Sequence, residues 1–453
     1  VIRPEAAESF ELTQRSLEHR TVTLGYALHG KGGARLEFEE TLTLPESLGP
    51  LAAASDGAVA RALLAVHLAG GPSYWKTAVP RRIVVSGERL SADDDAFWTM
   101  VYTKGLGEFF YRNGLDPNGA LAFEGAGATP EPGAAAEGNG PALVLWGGGK
   151  DSLVSERVLS ASSEPHELLT IGRAGWEWIG RSAALAGVPH HVVERRLDPK
   201  LFELNAAGAL NGHVPVSAYL AAVGVLVALL CGRRAVIASN ESSASEGGTT
   251  WHGLDVNHQW SKSLEFERGF QAWLSRNLAG GPEYFSLLRP LTELRIVKAF
   301  ATHTRFFESV TSCNKNFSQT GPAASRWCLT CPKCVFVALM ARPWLDDARY
   351  HALFGADPLA DPANCERIEE LLGVRGTKPF ECVGTPEETA AAFYLARTRG
   401  VTLPHGCMTV FQDRVAAHRR DLPDVAASAL SRSDAHAIPV RWLAQLDAYL
   451  DRH

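Results

Sequence analysis

The sequence predicts an α/β protein built on a parallel sheet, with an α+β region before it and a mainly helical region after it. Three features point there. Short β-rich runs alternate with helical stretches between residues 142 and 238, a turn of three glycines follows the first of those runs, and a hairpin-like pair stands apart near the start.

A chain of 453 residues, 46% hydrophobic and 21% charged, can bury more than one core, which excludes disordered, collagen-like and small disulfide-scaffold classes. Forty-four Lys plus Arg against 50 Asp plus Glu leave a formal charge of −6, so a general nucleic-acid or anionic-membrane surface is not expected. Any anionic ligand must then be held by a focused pocket. Eight cysteines are few for this length, and four of them fall between Cys313 and Cys334. That clustering suits a metal or reactive site in a cytoplasmic protein better than a secreted disulfide framework. The sequence opens on Val1 and carries no information about a targeting segment.

In the first region, runs 21–28 and 35–44 flank the turn-rich Gly30, Gly32 and Gly33, which reads as a hairpin, and helical periodicity takes over at 57–68. Residues 125–141 (GAGATPEPGAAAEGNGP) offer no apolar face and read as a linker, placing a boundary near residue 138. The second region, 139–346, carries β-rich runs at 142–146, 167–171, 190–193 and 235–238 with helical stretches between them, the pattern of a parallel sheet with crossover helices. The third, 347–453, is helical in period, as at 365–372 and 387–399, and shows no chemical motif. The apolar run 214–231 reaches the lower length limit of a membrane span. Pro215, Ser217, Tyr219 and Gly224 interrupt it and a strand follows closely, so it reads as a helix packed on the sheet, with no membrane insertion.

Gly147, Gly148, Gly149, Lys150, Asp151 and Ser152 follow the first strand of the sheet, and helical spacing begins directly after them. A strand, a glycine turn and a helix start make an anion site, because glycine lets the backbone approach a phosphate while the helix end supplies unpaired N–H groups. Lys150 and Ser152 can add a charge and a hydroxyl. The spacing is not that of a Walker loop. It resembles the SGGxDS PP-loop of the ATP pyrophosphatases, with Gly147 where that group usually carries Ser. The resemblance implies ATP binding, cleavage to AMP and diphosphate, and a requirement for Mg2+.

Cys328, Cys331 and Cys334 stand at C-x2-C-x2-C spacing, and Cys313 lies upstream. Four thiolates suit a closed tetrahedral Zn2+ site; without a metal, these thiols are candidates for proton transfer. The spacing is similar to the zinc knuckle of the PP-loop enzyme that makes 7-cyano-7-deazaguanine, which implies Cys313 as the fourth ligand. After the strand at 235–238 come Asn240 and Glu241, then His258 and Lys262, all expected near the mouth of the sheet. Glu241 can hold magnesium or act as a base, His258 can shuttle a proton, and Lys262 and Arg289 can neutralise phosphate or carboxylate.

Together, WGGGKDS, ASNESS, VNHQWSKSLEFE, SCNKNF and CLTCPKC resemble the ATP-dependent UDP-N-acetylmuramoyl-L-alanyl-L-glutamate epimerases of bacterial peptidoglycan synthesis, the MurL family. SYWK at 73–76, KGLGEF at 104–109 and KPFECVG at 378–384 extend the resemblance over most of the chain. It implies that the terminal L-Glu of UDP-MurNAc-L-Ala-L-Glu is inverted to D-Glu with consumption of ATP. An α-carboxyl adenylate would remove the negative charge beside the α-carbon and supply an electron sink, so that pyridoxal phosphate is unnecessary. Glu241, His258, Cys382 and unliganded thiols are all open as the base. Two other readings stand beside this one: a PP-loop enzyme adenylating a nucleobase or tRNA for amidation or thiolation, and a nucleotide-binding regulator without catalysis.

Overall fold

The computed structural model describes residues 2–453 except 52–53, 120, 126–132, 134–137, 174–175, 318–324 and 377. In chain order its strands are β1 (Ala7–Glu18), β2 (Thr21–Gly30), β3 (Ala34–Thr43), β4 (Arg82–Val85), β5 (Ala122–Gly125), β6 (Ala142–Leu145), β7 (His166–Gly172), β8 (His190–Arg196), β9 (Ala235–Ala238), β10 (Thr249–Trp251), β11 (Leu254–Val256) and β12 (Glu283–Ser286). Ten of them form one sheet in the order β12-β9-β6-β7-β8-β3-β2-β1-β4-β5, while β10 and β11 make a separate ribbon. β12, β9, β6, β7 and β8 are mutually parallel, as the alternation of strand and helix predicts. The expected hairpin is β2–β3, extended by β1 into an antiparallel meander, with β4 and β5 added parallel to β1.

The two parts of the sheet meet where β3 runs antiparallel to β8, with Thr41, Leu42 and Thr43 opposite Arg196, Arg195 and Glu194. Strands from both sides of residue 138 therefore share one sheet. Most of the expected linker lies outside the described residues. Within it, the Gly133 N–H donates to the Asn277 carbonyl at 3.0 Å, and Gly140 bridges to Arg233. At the seam Glu40 is fully buried and accepts from Arg195 Nε at 2.9 Å and Nη2 at 3.0 Å, from Tyr74 Oη at 3.1 Å and from Tyr219 Oη.

Side chains alternate across a strand, so each buried strand feeds two cores. Ala142, Val144, Ala235 and Ile237 face an apolar cluster with the helices Lys150–Ala161, Glu293–Phe300 and Pro332–Ala341. Leu143 and Val236 face the other, with the helices Asp56–Gly70, Ala92–Thr103, Val216–Leu230 and Leu264–Asn277. The result is three layers, helix on sheet on helix. The apolar run at 214–231 is the Val216–Leu230 helix, and a Cβ added at Gly224 would lie 2.8 Å from Val236 Cγ1, so the helix packs directly on the sheet. Among the described residues no helix is long and apolar enough to cross a membrane.

Beyond residue 347 the described residues are helical, including Asp347–Phe354, Cys365–Leu371, Pro386–Thr398, Leu422–Leu430 and Val440–Leu450. The 378–384 segment of this region brings Cys382 against Lys262, and Glu381 against Asn314 and Lys333.

Candidate active site

β6 lies between β7 and β9, and the chain moves to one side for β7 and β8 before crossing to β9 on the other. Loops leaving the C-terminal ends of β6 and β9 therefore diverge and open a crevice. The glycine turn lies there. Gly148 has φ 67°, and a Cβ on it would stand 3.0 Å from Ile179 Cα, so both conformation and space demand glycine. A Cβ at Gly147 would meet nothing within 4 Å, leaving that side open. The Lys150–Ala161 helix starts after Gly149 without a side-chain cap, which leaves its first-turn N–H groups for an anion.

Lys150 is fully buried and its ammonium lies between the carboxylates of Glu293 and Asp151, so it braces the loop from beneath. Ser152 Oγ donates to the Gly149 carbonyl at 3.2 Å, closing the turn. Lys333 Nζ donates to the second oxygen of Glu293 at 2.6 Å. Burial opposes the charge on Glu293, but Lys150 and Lys333 outweigh it and bring the carboxyl down to about 2.

After β9, Ser239 shares a 2.7 Å hydrogen bond with Ser155 of the Lys150–Ala161 helix, and Asn240 Nδ2 donates to Ser286 Oγ at 2.8 Å. Glu241 is buried, and its charge is felt at Lys262, Lys333 and Lys378. Arg289 is also buried and donates to Glu267 at 3.0 and 3.1 Å and to the carbonyls of Glu241 and Lys262. Its guanidinium thus ties two loops of the cleft together rather than standing open to solvent.

The 378–384 segment brings Cys382 against Lys262, whose Nζ donates to the sulfur at 3.1 Å. Gly384 permits this course, since a Cβ there would collide with Glu388 and with Phe336 Cζ at 2.7 Å. His258 donates from Nδ1 to Glu108, and its charge acts on Cys382. Burial opposes a thiolate at Cys382, yet Lys262 and His258 prevail and lower the thiol to about 6. Burial likewise opposes the imidazolium of His258, yet Cys382 and Glu108 raise it to about 9. His213, with its ring 4.2 Å from that of His258, is driven down to about 3 by burial and then by the charge on His258. Burial alone brings Lys76 down to about 8. Donor atoms of Glu108, His213 and His258 lie within 4.8 Å of one another. Neighbouring charges favour the protonated form of His258, while burial and the charge on His258 favour the neutral form of His213, so two imidazoles of opposite tendency share this corner with Glu108.

The cysteines at 313, 328, 331 and 334 converge, with all four sulfurs within 4.8 Å of one another. Cys328 and Cys334 are 3.8 Å apart, which matches the edge of about 3.8 Å that a tetrahedron with metal–sulfur bonds of about 2.3 Å requires. The backbone N–H groups of Cys331 and Cys334 donate to the sulfurs of Cys328 and Cys331 at 3.3 and 3.4 Å, an arrangement that favours thiolates. Lys333 stands between two of these cysteines in the chain, so the knot fixes the lysine that pairs with Glu293.

Residues 2–287 match the family model for the MurL N-terminal domain and residues 309–423 that for the MurL C-terminal domain. The chain belongs to the MurL family. Proteins named UDP-N-acetyl-alpha-D-muramoyl-L-alanyl-L-glutamate epimerase are similar to it. The one from Salinispora tropica is 42% identical over 82% of this chain and 80% of its own length. Those from Xanthomonas oryzae pv. oryzae and a Micromonospora species are each 40% identical, over 80% and 82% of this chain and the same shares of their own. The MurL N-terminal model spans the whole ten-stranded sheet, and the C-terminal one holds both the cysteine knot and Cys382.

Within this MurL chain, His258 and Lys262 both act on Cys382, Glu241 lies within electrostatic reach of Lys262, and Asn240 bonds Ser286. Glu108, His213, Lys76, Glu293 and Lys333 were not singled out by sequence. Lys333 lies inside the cysteine motif and Glu108 inside KGLGEF, so both had a local signal; His213 and Glu293 had none.

Proposed function

We propose that this chain inverts the terminal L-Glu of UDP-MurNAc-L-Ala-L-Glu to D-Glu, consuming ATP and releasing AMP and diphosphate through an α-carboxyl adenylate. The carrying observation is that Lys150, Glu293 and Lys333 form ion pairs beneath the glycine turn, and that the charge of Lys333 reaches Cys382, which Lys262 contacts directly. An anion site of the PP-loop kind thus adjoins a proton-transfer cluster. The names of the relatives supply the substrate.

Coupling these two functions has a physical reason. Deprotonating the α-carbon beside an ionised carboxylate puts negative charge next to negative charge. Masking that carboxylate as an adenylate removes the repulsion and gives the departing electron pair a carbonyl to occupy, and each pKa unit gained is worth about 1.4 kcal/mol. Activating the γ-carboxylate would not do this. Hydrolysis of the adenylate then releases the product and makes the inversion irreversible. The backbone N–H groups after Gly147 would hold phosphate, and Asp151, partly exposed and paired with Lys150, would share Mg2+ with the nucleotide. The four cysteines would hold Zn2+ as a structural ion that keeps Lys333 in place. Both the nucleotide-linked substrate and the need for ATP argue for the cytoplasm.

Incubation with ATP, Mg2+ and UDP-MurNAc-L-Ala-L-Glu, followed by chiral analysis of the glutamate, should give D-Glu with stoichiometric AMP. Oxygen-18 carried in the α-carboxylate should appear in AMP. Inversion without ATP, or AMP free of label, would reject the adenylate. The cysteine knot favours one competing reading, adenylation of a nucleobase or tRNA; a requirement for ammonia or a sulfur donor would support it.

A further inference from the structure

We propose that Cys382 is the catalytic base that takes the α-proton, with Lys262, His258 and Glu108 as positioning residues that hold its sulfur as a thiolate. The inference rests on the adenylate reading above and names the group that the sequence left open.

The geometry separates the candidates. His258 is engaged by Glu108 on one side and Cys382 on the other, so it already carries the proton a base would have to accept. Glu241 is buried among lysines, behind the backbone carbonyl that Arg289 clamps. The thiols at 313, 328, 331 and 334 are turned toward one another. Cys231 and Cys407 lie in apolar surroundings that raise their thiols. Cys382 is partly exposed, the Lys262 ammonium is 3.1 Å from its sulfur, and the charge of His258 also favours its thiolate. Its neighbours Glu381 and Val383 are tied by local backbone bonds of 2.8 Å, so the sulfur is held on a fixed bend.

The step balances simply. The α C–H bond breaks, its electron pair moves onto the acyl carbonyl oxygen of the adenylate, and an S–H bond forms at Cys382. A proton from water returns to the opposite face of the α-carbon, the carbonyl re-forms, and Cys382 gives its proton back to water. One solvent hydrogen therefore enters each product molecule.

The test compares Cys382→Ala and Cys382→Ser with the wild-type protein, each given ATP, Mg2+ and the UDP-dipeptide in D2O. Deuterium at the α-carbon and D-Glu formation should fall at least about 1000-fold in both variants, within the range for a lost acid–base group. AMP release should persist in them at a tenth or more of the wild-type rate. Inversion above a tenth of wild type in either variant would overturn the proposal, and so would loss of AMP release in a variant that melts like wild type. An acyl adduct on Cys382, seen by intact mass after acid quench, would also overturn it, since the thiol would then be a nucleophile. If the variants do not fold, alkylation of wild-type Cys382 by iodoacetamide decides: its rate should rise with pH in step with the acid limb of kcat/KM, and a mismatch would refute the role. Wild-type inversion without ATP would instead break the adenylate reading, whatever Cys382 does.

Discussion

The Glu40 cluster at the β3–β8 seam and the Cys382 cluster in the cleft are both ionic and both built from chain-distant residues, yet they treat charge differently. At the seam, one carboxylate answers one guanidinium with two bonds, two tyrosine hydroxyls take up its remaining capacity, and Arg195 stacks 3.7 Å from the Tyr219 ring centre. Burial, followed by the charge on Glu40, pushes the Tyr219 hydroxyl far above its usual range, so it stays protonated near neutrality. In the cleft Cys382, His258 and Lys262 are partly open, and shifts converge on the middle of the pH scale: Cys382 down to about 6, His258 up to about 9 and the buried Lys76 down to about 8. A saturated network fixes geometry, whereas one with mismatched partners keeps protons movable.

Removing one seam partner should have the largest effect on the molecule. Glu40→Ala leaves Arg195 buried without its counter-ion and should cost roughly 3–5 kcal/mol. The measure is a lower urea midpoint at unchanged slope; a loss under about 1 kcal/mol would show the seam to be no more closed than a surface pair. Lys262→Met removes the ammonium beside Cys382 and should lower kcat/KM at pH 7 by roughly 10- to 100-fold, with the deficit shrinking as pH rises and the thiol ionises without help. A pH-independent deficit would mean that the lysine serves binding instead.

The unmodified protein should show the corresponding profile. Because Cys382 is lowered and works as thiolate, kcat/KM should climb as pH rises through about 6; because His258 is raised and works protonated, it should fall as pH passes about 9. A single-sided profile would remove one of the two assignments. The smallest effect belongs to Gly147→Ser, which enters open space and should change the KM for ATP by no more than about twofold.

The parallel strands β6 to β9 were legible because each pairs an apolar run with a helical crossover, and the phosphate turn because three consecutive glycines interrupt that rhythm. β1 was missed for a physical reason: its register shifts between Ala7 and Ser9 and between Leu12 and Arg15 break the alternation that marks a half-buried strand. β4, β5 and β12 are four residues each, as β6 and β9 are, but Arg82, Glu124 and Glu283 break their apolar runs. The cysteine knot was legible through its spacing. The pairing of His258 with Glu108 was not, because no local pattern joins residues 150 positions apart. Cys382 stood in the sequence only as one possible base among several, since what distinguishes it is the lysine and histidine brought to it by folding.

Because the acid–base cluster draws Glu108 from the helix Gly107–Asn113, Lys262 from after β9 and Cys382 from beyond the whole sheet, a growing polypeptide on the ribosome could complete its sheet and still be chemically inert. Proton removal would then switch on only once the segment carrying Cys382 has emerged and docked. A half-made molecule would have no base with which to act on an activated precursor.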